Sequence, residues 1–147
     1  MSHGLALLLG VGAGALVGMQ APVNARLGRS VGGVQAASIS FLVGTVALLV
    51  AASVARGGFA GYAKAGGAPW WAFIGGLLGA VYVTVAILTV RTLGASSLTA
   101  VVIAGQLAIS VAIDRFGLFG IERQSIGVSR ILGLVLLVVG VTLVVRK

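Results

Sequence analysis

The chain has 147 residues, of which 59% are hydrophobic and 8% charged, against roughly 25% charged in a soluble domain. So little charge cannot cover a water-facing surface, and the mean hydropathy of +1.19 excludes an ordinary soluble domain. Ten Lys and Arg against two acids give a net charge of +8. The cations stand singly or in pairs between apolar runs, with no basic stripe interleaved with aromatics, so nucleic acid is not an expected partner.

A helix crosses the hydrocarbon core with about 20 mostly apolar residues. Five segments meet that requirement, at about 4–28, 33–55, 69–91, 95–114 and 125–145. They predict an all-α integral membrane protein with one transmembrane domain over 1–147 and the lipid bilayer as its surroundings. Met1-Ser2-His3 carries no Lys or Arg, so the first run reads as a retained helix rather than a signal peptide.

The first segment places Gly10, Gly14 and Gly18 at four-residue spacing, a stripe that lets helices approach closely in lipid. Gln20 and Asn24 share a helical face. Pro22 lies between them, lacks an N–H, and so frees the carbonyl of Gly18 and favours a kink. Two carboxamides at a kink suit coordination of a polar solute, or equally helix-to-helix hydrogen bonds. On the second segment Gln35, Ser38 and Thr45 fall on one side. The Gly-rich stretch 56–67 follows, at interfacial depth. Pro69 suits a helix start, and Trp70 and Trp71 suit interfacial anchoring. On the third segment Gly75 and Gly79 repeat the glycine spacing, and Tyr82 lines up with them and with Thr89.

The fourth segment has the clearest polar stripe, with Gln106, Ser110 and Asp114 at i, i+4 and i+8. Polar groups in lipid face partners or a cavity. Gln106 lies mid-span. Asp114 is near the end beside Arg115, which reads as an interfacial ion pair. Asp114 and Glu122 are the only acids, cysteine is absent, and the one histidine is His3. No nucleophile–base pair, phosphate loop or metal-ligand cluster is present, so no enzyme activity, cofactor or metal is expected.

Orientation follows an excess of Lys and Arg on the cytoplasmic side. Five crossings put Arg26, Arg29, Arg91, Arg146 and Lys147 on one side and Arg56, Lys64, Arg115, Arg123 and Arg130 on the other, five against five. The balance predicts insertion in both orientations and an antiparallel homodimer. Two inverted copies would form a ten-helix unit with the symmetry of inverted-repeat transporters.

The runs GMQAPVNARLG (18–28), PWWAFIGGLLGAVYV (69–83) and GQLAISVAIDRFGLFG (105–120) resemble the YdcZ-like family, small bacterial membrane proteins of the drug/metabolite transporter superfamily. The closing GLVLLVVGVTLV (133–144) is similar to the last helix of that superfamily's repeat. The resemblance covers nearly the whole chain. It implies a bacterial inner-membrane location and an antiparallel dimer equivalent to one full transporter. Small multidrug exporters are similar in size but use four helices and a glutamate on the first. This chain has Gln20 and Asn24 there and no acid.

The resulting expectation is a secondary transporter or facilitator of a small polar solute, with Gln20, Asn24, Tyr82, Gln106 and Ser110 lining the cavity. Pro22 and the glycines would support kinking and packing. A passive channel and a non-transporting membrane scaffold are the alternatives.

Overall fold

In lipid the backbone must satisfy its own hydrogen bonds, so long apolar runs become helices. The computed structural model describes residues 1–55 and 58–146. Arg56 and Lys147, two cations of the charge balance, lie outside the described residues. The elements in order are α1 (His3–Val31), α2 (Gly33–Val54), a short α3 (Ala60–Ala63), α4 (Ile74–Leu93), α5 (Ala95–Phe116) and α6 (Val128–Val145). Tight 3-10 turns occupy Lys64–Gly67, Trp70–Phe73 and Leu118–Gly120. Among the described residues, five helices are long and apolar enough to cross a membrane: α1, α2, α5, α6, and α4 together with its leading turn, over Trp70–Leu93. The chain divides into two compact units, Met1–Arg91 and Thr92–Lys147, where the sequence reading treats 1–147 as one domain.

The first unit is organised by the α1–α2 hairpin. Ser2 Oγ caps α1 by accepting from the Leu5 N–H at 3.3 Å, and the helix is assigned without interruption past Pro22 to Val31. Twenty-nine residues at 1.5 Å each make about 43 Å, more than the roughly 30 Å of hydrocarbon. Arg26 and Arg29, near the end of α1, therefore have room beyond the apolar layer.

Gly32 alone joins α1 to α2, with φ 94° and ψ 156°, a conformation that a residue with a Cβ adopts only under strain. The Gly32 N–H donates to the Gly28 carbonyl, and its own carbonyl accepts from the Ala36 N–H, both at 3.0 Å.

Small side chains let the backbones close in around this turn. Ala36, Ala37, Val83 and Ile87 form a buried cluster, with Leu27 and Tyr82 packed against it. A Cβ on Gly28 would stand 3.2 Å from Ile87 Cγ2, and one on Gly33 would stand 2.8 Å from Leu88 Cδ2. Near the end of α4, Arg91 Nη2 donates to the Ala25 carbonyl of α1 at 2.9 Å. In the stretch after α2, the rings of Phe59 and Tyr62 meet at 5.9 Å between centroids.

The second unit is the antiparallel pair α5 and α6. Ser97 Oγ donates to the Val144 carbonyl at one end, at 3.4 Å. At the other end Arg130 forms an ion pair with Asp114. Gly117 closes α5 in the left-handed region, at φ 66° and ψ 39°, which glycine accepts without steric cost.

The segment after it is held back against α5. Arg123 Nε donates to the Phe116 carbonyl at 3.2 Å, and the Gln124 N–H donates to the Asp114 carbonyl at 2.9 Å. These ties keep residues 121–127 out of a helix, so α6 begins at Val128 rather than at 125.

They also correct the expected ion pair. Adjacent helical residues do not face one another, so Arg115 is exposed while Arg130 reaches Asp114 from the first turn of α6. Arg130 Nη1 also donates to Gln124 Oε1 at 3.4 Å.

Two outcomes follow. Ala36 is fully buried, so Ala36→Leu should overpack the hairpin and lower unfolding stability in detergent by about 1–3 kcal/mol. Ala47→Leu, on the exposed stretch of α2, should leave stability within about 0.5 kcal/mol of the parent protein. A double-mutant cycle of Asp114→Asn and Arg130→Gln should return a coupling of about 1–3 kcal/mol, and the same cycle with Arg115→Gln should return nothing measurable.

Candidate functional site

The candidate polar residues fall in both units. Gln20, Asn24 and Tyr82 belong to the first, Gln106 and Ser110 to the second. Within the first, Gln20 and Asn24 meet different surroundings although they are one turn apart. Asn24 is buried at 6% exposure, and its Nδ2 has no hydrogen-bond partner among the described residues. Gln20 is exposed. It borders an open cleft of about 200 Å³ between α1 and α2, walled also by Ser40, Phe41, Gly44, Thr45 and Leu48. Tyr82 is half-buried and packs on the small-residue cluster.

The hairpin explains why these groups converge. With only Gly32 between the helices, residues equally distant from the turn lie opposite each other. Gln20 is twelve residues before it and Gly44 twelve after it. Gly44 removes a side chain from the wall opposite Gln20. Thr45 Oγ1 donates to the Phe41 carbonyl of its own helix at 2.8 Å, which leaves the Gln20 carboxamide and the Ser40 hydroxyl as the polar groups with no partner among the described residues. Among the described residues the lining holds no charged side chain. Among the described residues no three His, Cys, Asp or Glu come together as a metal site.

Ser40, Phe41 and Gly44 are cleft residues that the pattern of polar positions does not single out. The signal that finds them is register: a one-residue turn fixes which part of α2 faces Gln20.

The glycine stripes meet a different fate from close packing inside the chain. A Cβ on Gly10, Gly14, Gly18 or Gly75 would find nothing within 4 Å. Only Gly79 of the two stripes is in close contact: its Cβ would stand 3.2 Å from Phe41 Cζ. The reason is position. Close packing in the first unit is concentrated around the Gly32 turn, where Ala21, Ala25, Ala36 and Ala37 are buried, and the N-terminal half of α1 is beyond it. Pro22 is exposed within α1. In the second unit Gln106 and Ser110 are exposed on α5, and Asp114 is held by Arg130.

An orphaned buried amide is a cost of roughly 1–3 kcal/mol, and Asn24 carries it inside an otherwise apolar core. Asn24→Leu, similar in volume, should hold or raise the unfolding midpoint in detergent while transport falls. A lowered midpoint would assign Asn24 a structural role instead.

Comparison with known proteins fits this architecture. Residues 5–143 match a family model described as "Putative inner membrane exporter, YdcZ". The chain is 34% identical over 110 residues to "Inner membrane protein YdcZ" of Escherichia coli (strain K12), covering 74% of this chain and 72% of that protein. No solved structure matches it. The relative and the five apolar helices together describe a multi-pass protein of the bacterial inner membrane. A match over residues 5–143, carried by the same segments that build the hairpin and the α5–α6 pair, establishes that the chain belongs to the YdcZ family of inner-membrane proteins with a transporter-like role.

Proposed function

We propose that the chain is half of a secondary transporter, moving a small polar solute out across the inner membrane after pairing with an inverted copy of itself. The observation that carries this reading is the placement of its polar side chains. Gln20, Gln106 and Ser110 all stand exposed on helices built to cross lipid. A carboxamide facing hydrocarbon is costly, so such groups are expected to face protein or a water-filled cavity. A second copy supplies both.

The even distribution of Lys and Arg supports an inverted arrangement, because no excess assigns one orientation. Two inverted copies give the symmetry on which alternating access operates in inverted-repeat carriers. The family description supports export as the direction. The open stripe of Gly10, Gly14 and Gly18 gives the second copy a surface it can approach closely.

The absence of cysteine makes the topology directly testable. In Ala60→Cys, at an exposed position, a membrane-impermeant maleimide should label comparable fractions from each face of the membrane. Labelling from one face only would remove the inverted dimer. Purified protein in liposomes should show saturable solute flux. Gln106→Ala should abolish that flux with dimer formation intact, whereas unchanged flux would remove Gln106 from the pathway.

A further inference from the structure

The α1–α2 cleft has a composition that selects among solutes. Its six described lining residues include no acid and no base. An ion placed there would leave water without a countercharge, which is far costlier than burying a neutral polar group with a hydrogen-bond partner. The available partners are the Gln20 carboxamide, which both donates and accepts, and the Ser40 hydroxyl, which does the same. The other lining groups are the Phe41 ring, the Leu48 side chain, Gly44, and Thr45, whose hydroxyl proton is already given to its own helix.

The volume admits a ring, and the open side of the cleft sets no upper limit. The cleft measures about 200 Å³, somewhat more than the roughly 150 Å³ that admits a benzene ring in an engineered protein cavity. It lies near mid-span, since Gln20 and Phe41 are close to the centres of α1 and α2. That is the depth at which inverted-repeat carriers hold their cargo.

Gly79 gives the site a fixed wall. Its missing side chain leaves room for the Phe41 ring, since a Cβ there would come 3.2 Å from Phe41 Cζ and 3.6 Å from Cε1. Phe41 is thus held between α4 and the cleft. Gly76, on the same helix, has open space where its Cβ would be.

We propose that this cleft binds an uncharged, amphipathic solute of about one ring's size, with its polar group on Gln20 and Ser40 and its apolar face on Phe41. The proposal rests on the reading of the chain as a solute transporter and narrows its cargo.

Benzamide, benzoate and benzylammonium share a ring and differ in charge, so they serve as probes. Titration calorimetry on the purified full chain in detergent should show benzamide binding at least about tenfold tighter than either ion. Gln20→Ala and Ser40→Ala should each weaken benzamide by about fivefold, the loss of one neutral hydrogen bond. Gly79→Ala should also weaken it by displacing Phe41, and Gly76→Ala should not. Both polar substitutions are on accessible positions, and unfolding scans of each variant separate lost binding from lost folding.

Benzoate or benzylammonium binding as tightly as benzamide would overturn the assignment. So would benzamide affinity unchanged in Gln20→Ala and Ser40→Ala, or no binding of any probe. Flux of a charged solute without benzamide binding would leave the transporter reading standing and remove the cleft. Benzamide binding without flux of any solute would do the reverse.

Discussion

Close approach of helix backbones at the Gly32 turn is the contact on which the first unit depends. Lipid offers no hydrophobic force to drive helices together, so association relies on van der Waals packing and interhelical hydrogen bonds. Both are concentrated here. Ala25, Gly28, Gly33, Ala36 and Ala37 keep the interface thin, Ile87 and Leu88 of α4 fill the space over the glycines, and Arg91 donates to the carbonyl of Ala25. The cleft beside Gln20 is a by-product of this geometry. The hairpin fixes the register, and Gly44 leaves the gap.

The helices were legible in the sequence because lipid imposes a length and a polarity that few other environments impose. Five apolar runs became five spans, with ends displaced by at most three residues when the turn Trp70–Phe73 is counted with α4. The displacement at the start of α6 has a definite cause. Hydropathy reports where a chain can be helical, whereas hydrogen bonds outside the helix decide where it stops. The start of α6 was set by Arg123 and Gln124 reaching back to carbonyls of α5. Those contacts join residues whose partners hydropathy cannot name.

The site was less legible. Spacing alone placed Gln20 and Asn24 on one face, yet one borders a cleft and the other is buried with an unpaired amide. Four-residue glycine spacing marks a smooth face, but the glycines set closely against another helix among the described residues are Gly28, Gly33 and Gly79, of which only Gly79 lies on a stripe. Periodicity identifies a smooth face without identifying what lies against it. The partner of Asp114 posed the same difficulty. Arg115 is adjacent in the chain and projects elsewhere, while Arg130 is sixteen residues away and in contact.

The single-residue link at Gly32 also bears on how the chain enters the membrane. Two antiparallel helices with no slack between them cross as one object, so the direction taken by α1 settles the direction of α2. Arg26 and Arg29 sit close to the tip of that object. In any copy whose N-terminus stays on the cytoplasmic side, both guanidinium groups must be carried through the bilayer during insertion. In a copy of the opposite orientation they would never leave the cytoplasm. Whichever orientation the chain takes is thus tied to one early translocation event at the hairpin tip, and later helices inherit its outcome.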